Sequence, residues 1–235
     1  MATSKFTALA ALLCVTLAAC GGGGSVDSAP LPSQQSTALG WSGHRPATSL
    51  AFIGNSLTLV PEWGRGIASS DISLDYVHLT ATATSLPFTA TNFASLERNP
   101  ADPVNHIDMT TPVGLQIAAI ASSIDSTTAV VVQLGDNAPV PADFAVNYAQ
   151  LIANVKTGNR LVCISTWWES IEKDSAIKAA CEGAGGKYVF IGDIRIRADN
   201  RDAIDGPQYS NQGVQDHPHD WSMVRIAERV VAALR

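Results

Sequence analysis

An α/β domain, with helices on both faces of a five-stranded parallel sheet, is the architecture this sequence predicts. Three observations lead there. Short apolar runs alternate with segments of helical period through residues 48–235. The runs are apolar almost without interruption, whereas a sheet with one wet face would alternate. Each is bounded by Gly, Asp, Ser or Asn, the residues that end strands. Strand–helix alternation of this kind gives a doubly wound, three-layer α/β/α domain.

The chain starts outside that domain. "MATSK" carries one basic side chain, and "FTALAALLCVTLAA" is a 14-residue apolar run, too short for a permanent membrane span. Small residues and Cys20 follow, in the pattern of a cleaved export leader over residues 1–19. "LAAC" resembles the bacterial lipobox, which implies cleavage before Cys20 and lipid on its thiol. Residues 20–47 are rich in Gly, Ser, Pro and Gln without period, the composition of a flexible tether. Such a protein is attached to a bilayer without spanning it.

The remaining stretch of about 185 residues suits one domain with a sizeable core. Of 15 basic side chains only Lys5 lies in the leader, so 14 remain against 21 acidic ones, a formal charge of −7. No basic stripe exists, which argues against a nucleic-acid partner. The predicted strands are "LAFIG" (50–54), "LDYVHL" (74–79), "AVVVQLG" (129–135), "LVCIS" (161–165) and "KYVFIG" (187–192). Helical spacing marks 112–124, 141–156 and 223–235. In the second, Phe144, Tyr148, Leu151, Ile152 and Val155 share a face, and Pro141 stands where a first turn tolerates it. The last repeats the pattern with Ile226, Ala227, Val230, Val231 and Leu234. Cys163 and Cys181 have two readings, a disulfide in an exported domain or two buried thiols.

In doubly wound sheets ligands bind beyond the carboxyl ends of the strands. After the first strand comes "FIGNSLT", with Ser56 where the strand breaks. Ser56 reads either as the N-cap of a following helix or as a nucleophile on an exposed turn. After the third comes "QLGDNAP", where Asn137 is a turn former or a neutral donor to an oxyanion. Before the last helix comes "QDHPHDW". Serine, asparagine and histidine in that order are the parts of acyl transfer.

These motifs resemble the SGNH branch of the GDSL-type serine esterases, whose fold is a flavodoxin-like α/β/α sandwich. "FIGNSLT" matches the first motif, with Asn55 where many members carry Asp. Gly135 and Asn137 match the Gly-x-Asn motif, and the late "HP…IA" pattern matches around His217. The resemblance spans 48–235. Relatives often carry a "GGSL"-like run after the second strand; here "TATSLPF" stands there, with Ala83 and Thr84 at the glycine positions. The resemblance therefore implies an oxyanion hole of the Ser56 amide, the Asn137 side chain and an amide near Thr84.

Two histidines compete as the base. The family's Asp-x-x-His spacing selects Asp216 and His219. Spacing to the last helix selects His217, which is followed by Pro218 and then, nine and ten residues on, by Ile226 and Ala227. His219 would turn that helix by about 200° at 3.6 residues per turn. His217 is the expected base. Val214 stands where the acid would be, so a dyad is favoured, with a main-chain carbonyl orienting the ring as in some relatives. Asp216 and Asp193 are the candidate acids.

Of the remaining histidines, His44 lies at the tether boundary, His78 in the second predicted strand as a core residue, and His106 near the cleft. No zinc spacing is present, and no cofactor is expected. In "STWWES", Trp167 is expected to form a substrate platform, with Asn55 also contacting substrate. The expected function is extracytoplasmic hydrolysis of small-acyl esters, such as acetyl groups on glycans, through an acyl-enzyme. The chain would be a monomer anchored by Cys20 at the outer membrane, facing the periplasm. A lipase, thioesterase or acyltransferase using the same residues, and a silent glycan-binding relative, are the alternatives.

Overall fold

The computed structural model describes residues 46–101, 107–156, 160–197 and 208–235. Cys20, His44 and His106 lie outside them. Five strands form one sheet: β1 (Ser49–Gly54), β2 (Phe88–Asn92), β3 (Thr128–Gln133), β4 (Leu161–Ile164) and β5 (Lys187–Val189). Their order is β2-β1-β3-β4-β5, and every pairing is parallel. The expected three-layer α/β/α fold of flavodoxin-like form is present.

Both faces of the sheet are buried, so its central strands are apolar throughout. Ala51, Ile53, Val130, Val132, Leu161 and Cys163 point into one core, while Leu50, Phe52, Ala129, Val131, Val162 and Ile164 point into the other. The first core is covered by α3 (Pro112–Ser122), α4 (Pro141–Val155) and α5 (Ile171–Gly183). The second lies under α1 (Tyr76–Thr84) and α8 (Asp220–Leu234), which pack on each other. Short helical pieces at Ala94–Glu97 (α2), 192–197 (α6) and Gln212–Gln215 (α7) complete the set. Among the described residues no helix is long and apolar enough to cross a membrane. Cys163 on β4 is disulfide-bonded to Cys181 on α5, with Cα atoms 6.0 Å apart. Closing a loop near this length stabilises by about 3 kcal/mol in the chain-entropy account.

One expected strand is a helix. Residues 74–79 run from a 3-10 turn, Ile72–Leu74, into α1. Asp75 decides this: its carboxylate caps the helix by accepting from the His78 amide at 2.7 Å. Buried Tyr76, Val77, Thr80 and Ala81 then follow the helical period. The second strand comes later, at "FTATN". It is an edge strand with no fully buried residue, so its Ala and Thr content lacks the apolar signature of the centre. His78 is therefore a helix residue, with Nδ1 2.9 Å from Asp75 and its ring edge-on to Phe88.

Candidate active site

Parallel register brings three strand ends together, because Gly54 lies opposite both Asn92 and Gln133. The segments leaving them are Asn55–Ser56, 93–97 and 135–137. Gly54 permits the first turn. A Cβ there would lie 1.9 Å from the Thr58 hydroxyl oxygen and 2.8 Å from the Gln133 carbonyl oxygen. The amides of Thr58 and Leu59 fold back onto the Asn55 carbonyl at 2.8 and 2.9 Å. The turn over 56–58 does not continue into a helix, so the N-cap reading of Ser56 falls. Gly135 has φ +121°, and a Cβ there would press on Phe144 and Thr166 at 3.0 Å. Glycine is needed for both reasons.

Ser56 Oγ lies 2.9 Å from His217 Nε2 across 161 positions of sequence. The other ring nitrogen, Nδ1, is 2.5 Å from the Gly213 carbonyl oxygen. A carbonyl only accepts, so Nδ1 carries the proton and Nε2 is left to accept from the serine hydroxyl. Burial is the main influence on His217 and pulls its pKa below the ordinary 6.5. The Gly213 bond and the Asp216 charge push the other way, and neighbouring His219 lowers it. The ring is thus neutral at neutral pH, as a general base must be.

Aromatic side chains hold the base from behind. Trp168 meets the imidazole edge to face, with centroids 4.8 Å apart. Trp167 is 2% exposed and donates its indole N–H to the Asp216 carbonyl oxygen at 2.8 Å. It braces the histidine loop and cannot be the expected substrate platform. Asp136 anchors both tryptophans by accepting their amides at 2.7 and 3.2 Å. Burial, with the Glu97 charge adding to it, pushes Asp136 up to about 7 despite these bonds and one from Gln133.

Asp216 does not serve the ring. Its carboxylate accepts from Gln212 Nε2 at 2.6 Å, while the Gly213 carbonyl meets Nδ1, the main-chain contact expected of the favoured dyad in place of the candidate acid Asp216. Adjacent side chains diverge at the end of the α7 turn, which is why sequence neighbours do not meet. Asp193 is bound by both Arg229 nitrogens at 2.6 and 2.7 Å. His219 is buried at the start of α8, with Nε2 3.1 Å from the Gln215 carbonyl and its ring against Tyr209.

The oxyanion prediction divides. Asn137 is exposed beyond the β3 end, on the same rim as Ser56. Thr84 ends α1 before β2 begins, at the amino ends of the strands and away from the rim, and its hydroxyl donates to Thr80 and Ala81 carbonyls. It cannot reach the site. The segment that does follow β2 is "FASLE" (93–97), tied to β1 by the Phe93 amide on the Gly54 carbonyl at 2.6 Å.

That segment carries a residue the sequence did not reveal. Glu97 is 2% exposed and accepts from Asn55 Nδ2 at 2.5 Å, the Gly135 amide at 2.6 Å, and both the amide and the Nδ2 of Asn137 at 3.4 Å. Asn55, expected to touch substrate, has its amide committed to Glu97, with Asn92 Nδ2 3.5 Å from its oxygen. Only a correct placement of β2 would have put Glu97 at the rim. Among the described residues no group of three or more His, Cys, Asp and Glu side chains is gathered to hold a metal ion.

Comparison of the chain with protein-family models, curated proteins and solved structures finds no match.

Proposed function

We propose that the protein is a serine ester hydrolase of the SGNH type, working through a Ser56–His217 dyad. One observation carries the reading: the serine hydroxyl lies 2.9 Å from a neutral imidazole nitrogen whose tautomer a carbonyl sets. Serine is a weak nucleophile until an adjacent base can take its proton. Here Ser56 Oγ attacks the ester carbonyl carbon while its proton passes to His217 Nε2. The Asn137 amide and the Ser56 backbone N–H stabilise the tetrahedral oxyanion. His217 returns the proton to the departing alcohol, leaving an acyl group on Ser56. Water, deprotonated by the same imidazole, then releases the carboxylic acid and restores the serine.

Small acyl esters on glycans, met outside the cytoplasm by a domain tethered through Cys20, belong to the same proposal. They rest on the leader and the motif resemblance, since Cys20 lies outside the described residues. The test is hydrolysis of p-nitrophenyl esters of increasing acyl length by the full chain. Ser56→Ala and His217→Ala are expected to lower kcat by about a thousandfold or more, while His219→Ala keeps most activity if it folds. A wild type silent on every ester, and on acetylated glycans, would overturn the reading. Activity surviving His217→Ala would remove the dyad.

A further inference from the structure

We propose that Glu97 is a positioning residue, a buried carboxylate that aims the Asn137 amide nitrogen at the oxyanion and locks the Asn137 turn to the Ser56 turn. The role rests on the esterase reading of the site. An asparagine amide has two nearly isosteric faces, an oxygen and an NH2, and only the NH2 can serve an oxyanion. Left to itself, a half-solvated side chain presents either.

Glu97 removes the choice. A carboxylate only accepts, so it draws the nitrogen of each neighbouring amide towards itself. Its Oε2 takes Nδ2 of Asn55 and Nδ2 of Asn137, and its Oε1 takes the amides of Gly135 and Asn137. One Asn137 Nδ2 hydrogen is spent on Glu97, and the second is left to the exposed side. The flipped amide would turn its oxygen to the carboxylate and lose that bond. Because Asn55 immediately precedes Ser56, the same carboxylate joins nucleophile and donor across 40 positions separating Glu97 and Asn137.

The arrangement carries a built-in conflict. A negative charge beside an oxyanion hole opposes the developing oxyanion, so Glu97 helps only if orientation outweighs repulsion. Glu97→Gln decides between them. It keeps the shape and loses the charge, but one face of its own amide now donates into a nest of donors.

With p-nitrophenyl acetate, Glu97→Gln is expected to lower kcat by about 10- to 100-fold, part of what a lost oxyanion donor costs, with KM changed less than about twofold. In an Asn137→Ala background the same change should cost several-fold less, because the group being aimed is gone and only the tie to the Ser56 turn through Asn55 remains. An unchanged or faster kcat overturns the proposal, as does an equal loss in both backgrounds. The Asn137 side-chain amide pair, assigned in ¹⁵N–¹H spectra by its loss in Asn137→Ala, gives a readout that needs no turnover. One of its protons should be shifted downfield in the wild type, and that shift should collapse in Glu97→Gln. An ordinary pair in the wild type overturns the role of Glu97, whereas a shifted pair on a protein that cleaves no ester would sink the esterase reading alone.

Discussion

The two halves of the rim are anchored by different chemistry. On the β2 side a buried carboxylate gathers four N–H donors and thereby fixes Asn55 and Asn137. On the β4 side the imidazole hangs from the Gly213 carbonyl and leans on Trp168, and among the described residues no charged group bonds to its ring. On the proposed esterase mechanism the difference follows from what each half would do. Donors to an oxyanion need fixed direction, which a charged acceptor imposes. A base needs a neutral ring at working pH, and a carboxylate on Nδ1 would raise its pKa. With only a carbonyl there, burial wins and His217 is held below its ordinary value. In the proposed mechanism the arrangement gives up part of the stabilisation of the imidazolium formed in the transition state.

If the neutral half depends on packing and single hydrogen bonds, loosening one should cost rate without touching the donors. Trp167→Phe keeps the buried ring but deletes the indole N–H on the Asp216 carbonyl. A kcat loss of about tenfold with KM nearly constant is expected, equivalent to about 1.4 kcal/mol. Steady-state kinetics on p-nitrophenyl acetate would check it. An unchanged kcat would mean that the Gly213 bond and the Trp168 contact suffice to hold the imidazole.

What could be read in the sequence follows the same physics. β1, β3 and β4 were legible because both faces are buried, and Gly54 and Gly135 because their turns leave no room for a Cβ. The position of His217 beside Ser56 was legible through its register with Ile226 and Ala227, both buried in α8. The edge strand was not, since half-exposed "FTATN" has no apolar signature. That error carried Thr84 to the wrong end of the sheet and hid Glu97. Gly213 was illegible for a different reason: every residue has a carbonyl, so its identity says nothing about which one meets the ring. Trp167 looked like a platform because sequence places it at a strand exit without saying which way the indole points.

A smaller effect separates dyad from triad. Asp216 reaches His217 only through its charge, since its carboxylate is bonded to Gln212. Asp216→Asn should therefore change kcat by less than about threefold, where a true triad acid would cost roughly ten-thousandfold. The acid limb of kcat/KM should have its midpoint below 6.5 in the wild type, because kcat/KM reports the free enzyme's base. In Asp216→Asn that midpoint should move slightly lower, as the charge that favours the imidazolium is gone. A limb at or above 6.5 would mean that the ring is wetter, or more strongly paired with a charge, than this geometry allows.

The smallest effect is on stability, and it tests whether the β4 side resists charge in general. Asp136 accepts the amides of Trp167 and Trp168, yet burial lifts its pKa from 3.8 to about 7. A carboxyl with a raised pKa holds its proton more tightly folded than unfolded, so this group's contribution is full at acid pH. It is lost as pH rises from about 4 through about 7 and is level above that. Asp136→Asn keeps an oxygen for the two amides and has no proton to lose. The melting temperature of the wild type minus that of the variant should therefore fall between pH 4 and pH 8. His217 pulls in the opposite direction, because its lowered pKa costs stability as pH drops below about 6.5. It is present in both proteins and cancels in the difference. A difference that stays flat with pH would mean that Asp136 is ionised without penalty, and the contrast between a charge-held donor half and a charge-averse base half would then fail on its second carboxylate.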